Sequence, residues 1–575
     1  SLKYKSFFAG LVDSENFKVN GGQGSDGQVL TSTGSGVAWE AAGGGVTFKQ
    51  AGTNFTNSLM VGDDSTGTLD AATGNTALGI DVFAALTSGD NNVVVGFESG
   101  NDLTTGSRNT ALGANALDKT TTPNDNTAIG FAAMTANTTG AANVAVGKRA
   151  LQTNTTANDN TAIGSSALAA NTEGASNVAV GASSMGANTT ASNNTSVGYS
   201  SLAACTTGAG NTAVGAIALD AITTSADNTA VGHQALTNAS SGAGNTAIGK
   251  ATMTAVVTGS NNVAVGRYAL SANTSASNNV AVGINALVTN TTGGNATAVG
   301  GEALAANTTG ARNTAFGYQS SAANTTGYDN VSVGYGSLKT CTTGYNNAIL
   351  GYDAQPLSTT GYNNTSIGRS AHLALTTGIS CTAVGFSAGD KITSGSSTTC
   401  IGAYADTTSV SSTDANAFGY NVQGETGYTT VGVNADDIRA AHGNITWATV
   451  SDVRVKKDIE DSTVGLSFIN DLRPVTFNYK NKGDLPKEFR GYEEDSTEVY
   501  KSKKSQHGFI AQEVKAAIDK HSNIKDGFSM WDDDDENGQQ RVGETALVPV
   551  LVKALQELST TVDELKSELL ALKGE

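Results

Sequence analysis

The sequence predicts a mainly β fold: a β-solenoid or β-roll rod of 17-residue repeats, followed by a small α+β domain that ends in a coiled-coil helix. Three observations carry this. One glycine recurs every 17 residues from Gly62 to Gly419 without insertion or deletion, giving 22 copies of a unit such as "NTAVGHQALTNASSGAG". The residue before each marker glycine is apolar in every copy, from Val61 through Ile129, Val231 and Phe316 to Phe418. Beyond residue 450 the repeat stops, and a charged, aromatic-containing segment runs into leucines at heptad spacing.

Within a unit, the position two before the glycine is mostly Ala and the one before that mostly Thr or Val. Large, small and β-branched side chains in that order suit a short strand with one face in a core and the other in a tight space. The glycine then supplies a turn that needs positive φ or close backbone approach, and a second apolar pair follows, as in Ala150 and Leu151. One unit cannot bury its own apolar face. Neighbouring units must stack, and strict length keeps each core residue above its equivalent. Asn opens 17 of the 22 units, which fits a ladder of side-chain amides along the stack. At roughly 4.8 Å per strand the array makes a rod of about 105 Å.

Composition agrees with a repeat architecture. A chain of 575 residues exceeds one compact core, and its 69 glycines are neither every third residue nor confined to linkers. The net charge of -18 disfavours nucleic acid or an anionic membrane as partner. No 18-residue apolar run predicts membrane insertion, and residue 1 is Ser, which reads as a processed or truncated start. Cys205, Cys341, Cys381 and Cys400 fall in no metal-ligand spacing and are expected as reduced, packed side chains; no metal or cofactor is predicted. The acidic stretch "WDDDDENGQQ" at 531–540 lacks the spaced ligands of a calcium loop and reads as a solvated loop.

In the last segment "SFINDLRPVTFNYK" predicts a helix end, a Pro turn and a strand, and "HGFIAQEVKAAI" a strand or turn entering a helix. Leu551, Leu555, Leu558, Val562, Leu565, Leu569 and Leu572 are spaced as the a and d positions of a coiled coil, so an oligomer is implied. Boundaries follow at 1–57 for an N-terminal β connector, 58–419 for the array, 420–450 for a distal tip and 451–575 for the C-terminal domain, with the coiled coil at 547–573.

Three resemblances extend this reading. The "AIG" and "AVG" rungs resemble the heads of trimeric autotransporter adhesins, parallel β-rolls shared by three chains. "GSDGQVLTSTGSGVAWEAA" near the start resembles a segment common in phage tail fibres. "SDVRVKKDI", "GLSFINDLRPVTFNYK", "HGFIAQEV" and "ALVPVLVKALQEL" resemble, in this order, the intramolecular chaperone and auto-processing domain at the C-terminus of phage endosialidases and many tail fibres. That resemblance implies a domain that trimerises, nucleates the β-structured stalk ahead of it and then cuts itself off. The scissile bond would lie between Val450 and Ser451, with Ser451 as nucleophile and Lys456 as its partner. Asp452, Arg454, His507, Gln512 and Glu513 would support processing or the fold. Independently, a lysine serves as base to a serine only when desolvation lowers its ammonium pKa, and burial at an interface between chains would do that.

Tyr318, Tyr335 and Tyr352 take the slot after the marker glycine in three successive units, and Tyr328, Tyr345 and Tyr362 share another slot. Each set is expected to stack into a ladder suited to saccharide contacts, the competing expectation being that it only stabilises the coil. The function expected is that of a homotrimeric bacteriophage tail fibre in the virion. Its N-terminal end would meet other tail proteins, and its distal end a host surface glycan or protein. The rivals are a depolymerase tailspike, which needs a carboxylate pair on the rod, and a bacterial trimeric adhesin.

Overall fold

The computed structural model describes residues 18–19, 22–23, 28–32, 37–41, 47–52, 54–62, 66–443, 448–449, 453–489, 491–524, 528–532 and 540–574. The chain divides into two compact units, 1–450 and 451–575.

In the first unit a three-residue strand returns every 17 residues, as in Thr212–Val214, Thr229–Val231 and Thr246–Ile248. Each pairs in parallel with its equivalent one turn on, Thr229 against Thr246 and Val231 against Ile248. Equivalent residues are therefore adjacent rungs, about 4.8 Å apart. The same sheet opens with the antiparallel hairpin of Thr47–Gly52 and Phe55–Gly62. At its other end Asn416 pairs with Thr429, a shorter step, before the antiparallel pair Tyr428–Val433 and Asp436–Ala441. Part of the predicted tip thus continues the rod's sheet.

The strand gives the core only its middle residue. Ala213, Ala230 and Ala247 are fully buried, as are the corner residues Ala218, Leu219, Ala235 and Leu236. The large apolar residues before the glycines face outward, and none of the 22 is buried; Leu78 and Phe316 are 52% and 55% exposed. The core and the tight space are therefore one and the same. A coil of 17 residues has a narrow interior, and the corner leucines leave the strand room for little more than a methyl group.

Gly232 shows why the marker must be glycine. Its φ is +134°, and a Cβ there would lie 2.5 Å from the carbonyl oxygen of Gly249 in the next turn. Most of the interior asparagines are satisfied by repetition. Asn228 donates its backbone N–H to Asn211 Oδ1 at 3.0 Å, and its side-chain amide to the Gly242 carbonyl at 3.1 Å. Asn245 then donates its N–H to Asn228 Oδ1. A second buried ladder joins Asn137, Asn154, Asn171 and Asn188 through amide bonds of 2.7–2.9 Å. The four cysteines are free and buried.

The second unit holds α1 (Leu466–Asp471), α2 (Ala511–Asp519) and α3 (Leu547–Lys573). Strand Val475–Phe477 pairs antiparallel with Gln506–Gly508. Val464, Phe468, Val514, Ala517, Ile518, Met530, Leu547 and Val550 form its core. The first turns of α3 are thus docked inside the unit. The heptad residues are not: Leu555, Leu565 and Leu572 are 68%, 58% and 73% exposed.

Candidate functional site: the processing seam and the aromatic ladders

Val450, Ser451 and Asp452 lie outside the described residues, as does most of the acidic stretch 531–540. Lys456 follows a single 3-10 turn, Val453–Val455, and its backbone N–H donates to the Val453 carbonyl at 3.2 Å. Its side chain and that of Arg454 are exposed. So are two apolar neighbours along the chain, Val453 at 66% and Ile459 at 64%.

His507 and Glu513 fasten the third sequence motif to the second. His507 sits opposite Thr476 in the strand pair, with His507 Nδ1 3.2 Å from Thr476 Oγ1. Glu513, on α2, takes a two-pronged hydrogen bond from the Arg473 guanidinium, with Nε to Oε2 at 2.9 Å. The bond to Arg473 holds the Glu513 carboxyl below the usual range. Gln512 is exposed on the same helix. Sequence reading missed two further ties. Glu557 of α3 accepts the Leu466 N–H at 2.8 Å, capping the start of α1. Asp471 accepts from Lys520 at 3.0 Å and lies 2.9 Å from His521 Nε2. No local pattern announces either, because the partners are 49 to 91 residues apart.

Both tyrosine sets stack. Ring centroids are 5.6 and 5.1 Å apart along Tyr318, Tyr335 and Tyr352, and 5.0 and 4.7 Å along Tyr328, Tyr345 and Tyr362. The first three are about half exposed. Their track runs on further than expected. The Arg369 guanidinium lies 5.6 Å from the Tyr352 ring and 5.9 Å from Phe386, and Phe386, Tyr404 and Tyr420 then meet edge to face. The signal was readable, since Arg369, Phe386 and Tyr420 each follow a marker glycine.

Inside the coil, Ser366 Oγ is 2.8 Å from both Gln355 Oε1 and His372 Nδ1. All three residues are fully buried and burial pushes His372 down to about 3, so the cluster is closed to any substrate. Near the start of the array, burial raises the Asp118 carboxyl, and Lys119 lies within 3.4 Å of both Asp118 and Asp102. Those carboxylates are matched by an ammonium, which is not the arrangement of an acid and a free base. Among the described residues no group of side chains is arranged to hold a metal ion, and no helix is long and apolar enough to cross a membrane.

Residues 451–523 match the family model described as chaperone of endosialidase. Comparison with curated proteins and with solved structures finds no significant match. The matched region starts at the residue where the second compact unit begins.

Proposed function

We propose that the chain is a bacteriophage tail fibre, a structural and host-recognition protein assembled as a homotrimer by its C-terminal domain. The observation that carries this is the chaperone-of-endosialidase match at 451–523, set directly behind a 22-turn β-solenoid. A stack of near-identical turns has no unique starting point, so a dedicated nucleating domain is physically apt. The exposed heptad leucines of α3 supply the helix-to-helix contact.

Release follows assembly. Ser451 Oγ attacks the Val450 carbonyl carbon while the neutral Lys456 amine takes the hydroxyl proton and passes it to the departing nitrogen. The peptide bond breaks, an ester links Val450 to Ser451 Oγ, and water hydrolyses that ester. A lysine serves as base to a serine only when desolvation lowers its ammonium pKa, so burial between assembled chains would gate the cut. The freed rod carries its aromatic ladders to a host surface glycan. This is single-turnover chemistry on the chain itself, with no external substrate.

The test is the mass of the purified protein after denaturation. Wild type should give fragments 1–450 and 451–575, while Ser451→Ala and Lys456→Ala should trimerise and stay full length. An uncut wild-type chain that folds normally would remove the processing claim. Folded, trimeric rods from a chain lacking 451–575 would remove the chaperone claim.

A further inference from the structure

The outward face of the rod's sheet is an apolar surface with no assigned role. In each of 22 turns two strand residues point away from the core, the one before the marker glycine and the one three before it, which makes 44 positions. None of the 44 is buried, and none is Asp, Glu, Lys, Arg or His. The first set is entirely Val, Ile, Leu or Phe; the second is Thr or Val except at Leu59, Ala348 and Asn416. With 15% of the chain charged, chance would leave about six charges on such a surface. The corners of the same turns do carry exposed charge, at Lys148, Glu173, Lys250 and Arg267. The exclusion is specific to the strand face.

The ladder is also continuous. Val214, Val231 and Ile248 are successive register partners, and the row ends Ile401, Phe418, Val431, Ile438 on the tip hairpin. Nine of the 22 residues before the marker glycines are 37–55% exposed and the other 13 are partly exposed, which leaves on the order of 1,000 Å² of side chain in water, beyond the few hundred typical of a monomer's largest patch. A stable interface needs only about 800 Å² from each partner.

What covers it must share its period. A partner whose rungs differed by about 0.2 Å per turn would slip a whole rung over the array, whereas a second copy, parallel and in register, matches at every turn by construction. We propose that this strand face is the contact between copies of the chain, each row of Val, Ile, Leu and Phe meeting the same row of its neighbour. The proposal rests on the reading that the chain is an oligomer and adds where the rods touch. It places Tyr328 and Tyr335, which precede and follow strand Val331–Val333, at the borders of that contact.

The test places a single thiol on the full chain, Val214→Cys on the strand face and Glu173→Cys on a corner, with Ile248→Cys as a second face variant should the first fail to fold. In the oligomer the thiols at 214 and 248 should react with a maleimide at least tenfold more slowly than the thiol at 173. Mild oxidation should link chains through like positions at 214 or 248 and not at 173. The native cysteines are buried and add no fast background. An oligomer by light scattering whose thiols at 214 and 173 label equally fast would overturn the proposal and leave the oligomer standing. A folded monomer would overturn both, and light scattering separates the two results.

Discussion

The rod and the C-terminal unit are held together by opposite means. In the rod, most side-chain hydrogen bonds join residues 14 or 17 apart, such as Asn228 with Gly242 and Asn211. Every turn repeats its neighbour's solution. In the C-terminal unit the ties are individual and long-range, as between Leu466 and Glu557, Arg473 and Glu513, or Asp471 and His521. A stack of that first kind propagates one turn at a time but has no unique starting point. A small domain of the second kind folds as a cooperative unit and can act as that start.

The sharpest way to break the comparison is at a marker glycine. Gly232→Val puts side-chain atoms against the Gly249 carbonyl and a β-branched residue at φ +134°. A loss above about 4 kcal/mol is expected, read by hydrogen exchange as deprotection confined to the neighbouring turns. Gly574→Ala in the other unit should be neutral, because a Cβ there meets nothing closer than 3.6 Å.

Phe468→Ala tests the opposite behaviour. It empties the centre of the C-terminal core and should cost about 3–5 kcal/mol. The whole unit should melt together in calorimetry while the rod's exchange pattern stays unchanged.

Acidity separates two places within the rod. Buried His372 has its folded-state pKa lowered to about 3 from 6.5, so the unfolded chain takes the proton first. Its stability contribution is complete above pH 6.5 and is lost as pH falls toward about 3. His372→Leu, which installs the residue found at Leu236 in the same slot, should abolish that acid sensitivity. Asp406 has the reverse sign. Burial raises it to about 6, so its contribution is present near pH 4 and is lost as pH rises through about 6. Asp406→Asn should flatten that slope in local exchange.

The smallest effect is a gain. Ala296 interrupts the asparagine ladder between Asn279 and Asn313. Ala296→Asn should restore the missing bonds and stabilise the rod by about 1 kcal/mol in denaturant unfolding.

Much of the rod was legible because its physics is periodic. The marker glycines recur in every turn, and the Ala150 and Leu151 corner pair and the asparagine row each named a role that recurs in most turns. The tyrosine stacking followed from the same rule, although only three residues of the longer track were picked out. The second asparagine row escaped notice because it comes in two separate runs, Asn137 to Asn188 and Asn273 to Asn324, with Cys205, Ile222, Ala239 and Val256 in the slot between them. At the seam, the motif order identified the domain, and the family match starts at the same Ser451. The roles of His507 and Glu513 as ties to Thr476 and Arg473 were not readable, since spacing along the chain says nothing about which strand a helix lies beside.

The sequence by itself determined the period, the stacking and the place where one kind of structure gives way to another. Strict length conveys these, because a single inserted residue would turn every later side chain to the wrong face. Only the tertiary structure decided which strand face is inside. Hydrophobicity alone favours Val, Ile and Leu for the core, yet the closed coil admits Ala213 and Ala230 and turns Val214 and Val231 out. The reason is volume: the corner leucines occupy the interior first, and the larger strand residues are left to the surface.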